Sequence, residues 1–155
     1  ESWQVNGVQS PPRPRRAEGV LGNKAIRVAA TPSAEPWTIS ARMSIAGAVK
    51  DGDPVLLAVW ARLASAPPGQ STSRLPLRVE QASAPYTAIA QADAEIGPEW
   101  KLVYASGVAA QDFEGGATSL SVHLATAVHT VELGPALVLN FGQNYDPAKL
   151  PTNTP

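Results

Sequence analysis

Trp60 and Arg62 stand two residues apart near the end of the run "GDPVLLAVWARL", Gly52 to Leu63. Alternate side chains of an extended chain share a face, so a ring and a guanidinium would lie side by side there. Together they supply a flat apolar platform and a planar set of donors, the chemistry of stacking a ligand and pairing with its polar groups. Four other residues offer parts of the same chemistry. Trp37 follows "SAEP" at the head of a strand-like run, and Tyr86 follows a proline in "SAPYTAI"; both rings can project from loop edges. Arg78 and His123 fall on the polar faces of "RLPLRVEQAS" and "TSLSVHLAT". Core packing competes for every ring, since tryptophan is mostly buried in folded proteins. For Trp60 the packing reading is preferred: a loop caps the ring and Arg62 pairs with an acid. The alternatives for Trp37 stay open. Tyr86 reads first as a wall-packing ring, Trp100 as core beside Leu102 and Tyr104, and Trp3 as a pin for the N-terminal segment.

Other chemistries find little support. The two histidines, His123 and His129, have no cysteine or further histidine to complete a zinc site. Oxygen ligands for calcium near Asp51, Asp53, Asp112 or Glu132 form no motif. Glycoside hydrolysis needs two carboxylates across one cleft, but the acids cluster in turns such as "DGD", "DAE" and "QDFEGG", where turn chemistry explains them. Neither a Gly-x-Ser-x-Gly elbow nor a phosphate-binding glycine loop is present. The expectation is a chain with no catalytic residues, no metal and no cofactor.

The elements that must position these residues read as strands. Fifteen prolines and twelve glycines punctuate short Val-, Leu-, Ala- and Thr-rich runs, the signature of an all-β domain. In "PWTISARMSIAG" (Pro36–Gly47) Trp37, Ile39, Ala41, Met43 and Ile45 alternate with Thr38, Ser40, Arg42 and Ser44. Val55, Leu57, Val59 and Ala61 make the smoother face of the opening run and are expected in the core, which turns Trp60 and Arg62 outward. Leu75, Leu77 and Val79 oppose Arg78 and Glu80; Leu120, Val122 and Leu124 oppose Ser119, Ser121 and His123. The polar faces thus place Arg42, Arg62, Arg78, Glu80, Lys101, Ser121 and His123 outward. "PYTAIAQA" reads as a short strand ended by a loop at "DAEIGP". In "HTVELGPALVLNFG" the pair Gly134-Pro135 forces a bulge or bend. The Pro-rich basic stretch around "PPRPRR" is expected to stay out of any sheet, because proline removes ladder donors. Eight to ten strands at about ten-residue spacing predict an antiparallel sandwich or barrel.

The 155 residues suit one domain, 1–142, with a polar, Pro-bearing tail over 143–155. Cysteine is absent, so no disulfide framework exists. A net charge of −1 and only 16% charged residues do not suggest nucleic acid, and no apolar run approaches a membrane span of about 20 residues. The chain begins at Glu1 rather than methionine, which reads as a processed or trimmed N-terminus.

Three segments in order, "GNKAIRV", "KDGDPVLLAVWAR" and "GPEWKLVYASG", followed by the final "HTVELGPALVLN", resemble the carbohydrate-binding modules of the family 4, 9 and 22 type. The resemblance covers about residues 20 to 141. It implies an antiparallel jelly-roll β-sandwich of the galactose-binding-like kind. Two positions depart from the family pattern. Pro54-Val55 stands where a tyrosine is frequent, and Glu132-Leu133-Gly134-Pro135 replaces an aspartate pair that helps hold a structural calcium in many relatives, which argues against calcium here. The closing "LNFGQNYDPAKLP" looks like the hand-over to a family 10 xylanase-type catalytic domain.

What the resemblance implies is a non-catalytic module, secreted or periplasmic, that targets a fused glycoside hydrolase to plant cell-wall polysaccharide. Its ligand would be xylan or a related β-glycan, taken as polysaccharide or oligosaccharide. Trp37, Trp60, Arg62, Arg78, Tyr86 and His123 are then the candidate carbohydrate-binding residues. The alternative is a structural accessory jelly roll of a glycoside hydrolase that has lost sugar binding, favoured by the low aromatic content of 6% and the aliphatic strand faces.

Overall fold

Alternation decides where each strand sends its side chains, and the computed structural model, which describes residues 2–153, is built on it. Its strands are β1 (Gln4–Asn6), β2 (Arg15–Arg16), β3 (Lys24–Ala30), β4 (Ser40–Ile45), β5 (Pro54–Ser65), β6 (Ser73–Gln81), β7 (Ala88–Ile96), β8 (Lys101–Val108), β9 (Thr118–His123) and β10 (His129–Asn140). They form two five-stranded sheets, ordered β1-β4-β9-β6-β7 and β2-β3-β10-β5-β8. Every pairing within them is antiparallel, and the two sheets pack as a jelly-roll β-sandwich.

The core lies between the sheets. Val55, Leu57, Val59 and Ala61 of β5 face Leu75, Leu77 and Val79 of β6 and Val122 of β9 across it, all fully buried. Each large aliphatic side chain so placed stabilises the fold by about 1.5–3 kcal/mol. The smooth face of "GDPVLLAVWARL" is therefore the inner one. Among the described residues no helix is long and apolar enough to cross a membrane.

Four expectations change. The Pro-rich segment does enter a sheet: its prolines end at Pro14, and Arg15 and Arg16, which keep their N–H groups, pair with Ala25 and Lys24 at the sheet edge. The strand over "PWTISARMSIAG" starts only at Ser40, because Pro36–Thr38 coil into a 3₁₀ turn. β7 runs on through "DAEI", since buried Ala94 and Ile96 continue the inward alternation. In β8 the core face is Val103 and Ala105, and Trp100, Leu102 and Tyr104 turn outward. Register explains the reversal: Val103 pairs with Val59, whereas Leu102 pairs with Trp60 and Tyr104 with Ala58.

At Gly134-Pro135 the β10–β5 register slips between Leu133 and Ala136, the expected bulge. The bulge has two uses. The Gly134 carbonyl accepts from Trp3 Nε1 at 2.9 Å, which pins the N-terminal segment, and the missing side chain leaves room for Val20 and Trp60.

The stretch read as a tail, 143–155, lies along the body over its described part. Leu150 is buried, and Gln143 Nε2 donates to Asp53 Oδ1 at 2.6 Å. Asn153 clips an open sheet edge: its Oδ1 accepts from Tyr104 N and its Nδ2 donates to Tyr104 O, both at 2.7 Å, while Nδ2 also reaches Asp93 O at 3.3 Å. Thr154 and Pro155 lie outside the described residues.

Candidate functional site

The outer face of the first sheet carries a cleft of about 930 Å³, lined by polar and apolar side chains together, with an aromatic ring toward each end. Register builds its floor. Arg42 of β4, Ser121 of β9, Arg78 of β6 and Gln91 of β7 pair in succession, so four polar side chains form one row across four strands. Ser40 and His123 pair in the neighbouring row, and Glu80 pairs with Ser119 on the other side.

Glu80 organises this floor. The sequence places it outward, yet it is only 4% exposed, because the guanidiniums of its own face cover it. Its Oε1 accepts from Arg78 Nε at 2.6 Å, and its Oε2 lies 3.5 Å from Arg42 Nη2. Arg78 also donates to Gln91 Oε1 at 2.8 Å and to the Tyr86 carbonyl at 3.3 Å. Arg42 donates to Ser119 Oγ at 2.8 Å. Long side chains that are otherwise mobile are thus held in one geometry before any ligand arrives.

Trp37 rises from the Pro36–Thr38 turn and stays 56% exposed. The turn is fixed to the chain after β9 by Ala125 N to Pro36 O at 3.0 Å and Leu124 N to Ile39 O at 2.8 Å. Trp37 meets the His123 ring edge-to-face, centroids 6.2 Å apart at 61°. Burial first of all, with help from Arg78, Arg42 and Arg74 and against the pull of Glu80, holds His123 below the ordinary histidine pKa. A neutral imidazole offers one donor and one acceptor, the pair a hydroxyl group can satisfy.

Tyr86 sits in the β6–β7 connection, 46% exposed, with Arg42 Cζ 5.7 Å from its ring centroid. Its backbone is left-handed at φ 55°. For a bulky residue that conformation costs on the order of 1 kcal/mol or more, and such strain concentrates at ligand sites. Tyr86 N to Ser83 O at 2.8 Å and Gln81 N to Thr87 O at 2.9 Å hold it.

Four of the six residues picked from sequence, Trp37, Arg78, Tyr86 and His123, therefore line one cleft. Trp60 and Arg62 do not join them; they lie on the outer face of the second sheet. There Trp60 and Trp100 pack on a small cluster of Ala17, Val20 and Ala25, supplied largely by the chain before β3. Trp100 Nε1 donates to Glu18 O at 3.0 Å, and Arg62 lies 5.2 Å from the Trp100 ring centroid. Arg62 Nε donates to Glu132 Oε1 at 2.6 Å, and Arg27 Nε to Oε2 at 3.1 Å. The carboxylate at the position associated with calcium in the resembling family is thereby engaged on both oxygens by guanidiniums, and its surroundings do not fit a cation.

Arg42, Glu80 and Gln91 belong to the cleft but were not among the residues picked. The first two sit on polar strand faces, which is a weak signal; their convergence depends on register. Asp53, another buried acid, faces away from this chemistry. Donors from Asn140, the Lys50 backbone and Gln143 hold its pKa below the carboxylate range despite burial.

No protein-family model and no curated protein sequence matches the chain. Solved structures do. A family 4 carbohydrate-binding module is similar at TM-score 0.66 and 14% identity, over 89% of this chain and 94% of the other. The N-terminal cellulose-binding domain of β-1,4-glucanase C from Cellulomonas fimi is similar at TM-score 0.62 and 15% identity, over 91% and 90%. The CBM22-1 xylan-binding domain of Xyn10C from Paenibacillus barcinonensis follows at TM-score 0.60 and 15% identity, over 89% and 85%. The jelly roll of this chain is the fold of family 4 and family 22 modules.

Proposed function

We propose that this chain is a non-catalytic carbohydrate-binding module that lays a β-glycan across the outer face of its first sheet. One observation carries the reading: two exposed rings, Trp37 and Tyr86, flank the prearranged polar row of Arg42, Ser121, Arg78 and Gln91, with His123 in the row beside it. The rings stack on the C–H faces of pyranoses, and the planar polar groups pair with vicinal hydroxyls. Glu80 and Asp93, the acids of the cleft, are occupied in orienting Arg78, Arg42 and Arg74, which suits recognition better than proton transfer. Trp60 and Arg62 serve the fold. In a secreted or periplasmic setting, and fused to a glycoside hydrolase, such weak contacts would raise the local concentration of the enzyme on xylan or a related cell-wall glycan. The solved cellulose- and xylan-binding neighbours support this choice of ligand class.

The test is titration with xylo- and cello-oligosaccharides, followed by intrinsic tryptophan fluorescence. Saturable binding lost in Trp37→Ala or Tyr86→Ala, with the melting temperature retained, supports the proposal; no binding to any soluble or insoluble β-glycan refutes it.

A second reading, a structural companion domain, draws on the outer face of the second sheet. Leu137 and Leu139 of β10 are about half exposed there, and Phe141 stacks on the partly exposed Tyr145 nearby with centroids 4.6 Å apart. An attached catalytic domain would cover this face.

A further inference from the structure

The charge on the cleft floor does not balance. Arg42 and Arg78 flank Ser121 in register, and between them stands a single carboxylate, Glu80. Guanidinium stays protonated at any working pH, so one formal positive charge is left on the floor. At the rim Arg74 and Asp93 meet at 3.2 Å, both more than half exposed, and cancel. His123, held neutral by its burial, adds nothing at pH 7.

The surplus falls on Arg42. Arg78 spends Nε, Nη1 and Nη2 on Glu80, Gln91 and the Tyr86 carbonyl. Arg42 uses Nη2 alone, toward Ser119 and Glu80, so its Nε and Nη1 have no protein acceptor among the described residues. Its side chain is one quarter exposed and lies against the Tyr86 ring. A guanidinium anchored at one nitrogen, three-quarters covered and short of an acceptor, suits a ligand carboxylate better than a hydroxyl, because the carboxylate adds the attraction of an opposite charge to the hydrogen bond.

We propose that the cleft selects an acidic glycan: a β-linked chain bearing a uronic-acid carboxylate, which Arg42 receives beside the Tyr86 ring. The neutral sugars of the chain lie on the remaining row toward Trp37. This inference rests on the cleft being a glycan site, and its test separates the two.

Three ligands of equal backbone length are titrated by calorimetry: an unsubstituted xylo-oligosaccharide, the same chain carrying one glucuronic acid, and that chain with its carboxyl reduced to the alcohol. Each is measured at about 20 mM and 300 mM salt, where the Debye length falls several-fold. The expected result is affinity for the acidic chain about tenfold above its carboxyl-reduced form, as one charge-assisted bond allows, with the advantage shrinking at high salt. Arg42→Gln, once shown to melt cooperatively, should erase the difference between acidic and reduced ligands. If that variant does not fold, the ligand comparison still decides. Equal affinity for all three chains overturns the acidic preference and leaves the glycan module standing. Failure of all three to bind overturns both.

Discussion

Glu132 of β10 and Arg62 of β5 stand opposite each other in register and meet through a 2.6 Å hydrogen bond on the outer face of the second sheet. Glu132 is almost wholly buried, while Arg62 and its second partner Arg27 are each about one third or more exposed. The asymmetry decides which deletion hurts. Removing Glu132 leaves two guanidiniums that can turn to water. Removing Arg62 leaves a buried carboxylate with one partner and strips the cover from Trp100.

Arg62→Ala should therefore cost about 2–3 kcal/mol, discounted from the 3–5 typical of fully buried pairs. Urea unfolding followed by tryptophan emission measures it, and a cost within about 0.5 kcal/mol, the range of ordinary surface changes, would contradict the arrangement. Because both oxygens of Glu132 are engaged, neither EDTA nor added calcium should move the melting temperature.

Trp37 and Trp60 should separate cleanly. Trp37→Ala is expected to change stability by no more than about 0.5 kcal/mol, as for other exposed positions. Trp60→Ala opens a space over Gly134 and Val20 and should cost about 2–3 kcal/mol, less than a fully buried tryptophan. Oligosaccharide titration of the folded fraction then reverses the ranking: Trp37→Ala loses binding and Trp60→Ala keeps it.

Much of this division could be read in the residues. The aliphatic alternation of β5 and β6 identified the core face, because only one face of each was free of polar groups. β8 defeated the same logic. Lys101 shares the inner face with Val103 and Ala105, which made the face of Leu102 and Tyr104 read as the more apolar. Trp100, just before the strand, packs on the N-terminal segment rather than between the sheets. The Pro-linked loops marked Trp37 and Tyr86 as candidates, but left Trp37 open and favoured wall packing for Tyr86, whose ring stands 46% exposed in the cleft instead. The partnership of Arg42 with Arg78 and Gln91 was not legible, since β9 stands between β4 and the β6–β7 hairpin in space although it comes after both in sequence.

Acid should weaken the fold below about pH 6.5, the ordinary histidine value. His129 is buried, with Nε2 2.8 Å from the Leu124 carbonyl and Nδ1 2.7 Å from Ser73 Oγ. A carbonyl only accepts, so Nε2 carries the proton and Nδ1 accepts from the serine hydroxyl. Burial depresses its pKa, only partly offset by the Leu124 bond, and His123 is shifted the same way. The unfolded chain binds protons that the native state refuses, so stability is complete above this pH and declines as pH falls toward the native values. Glu132 acts lower: burial raises its pKa, but Arg62 and Arg27 more than compensate, so its contribution fades below the usual glutamate range. Melting temperatures from pH 8 to 4 check both; a flat profile down to pH 5 would count against the histidine assignment.

Gly107 of β8 lies close against the β7 backbone where the two sheets meet at their edge. A Cβ there would overlap the Ile89 carbonyl oxygen and crowd Ala90 Cα, both backbone atoms of β7 that cannot swing away. Gly107→Ala should cost about 3 kcal/mol, the upper part of the range for overpacking, by chemical denaturation. Gly69, with open space around it, should take the same substitution with a far smaller penalty, set by its positive φ alone.

That same edge is where Asn153 sits, its amide lying on the N–H and C=O of Tyr104 as a neighbouring strand would. β8 is the last strand of its sheet, and an uncovered last strand is a template for another chain. There the side chain occupies the backbone groups that a second chain would otherwise take. Asn153→Ala should leave the fold intact yet raise the apparent mass in concentrated solution, with growing oligomers in sedimentation velocity where the parent chain stays monodisperse.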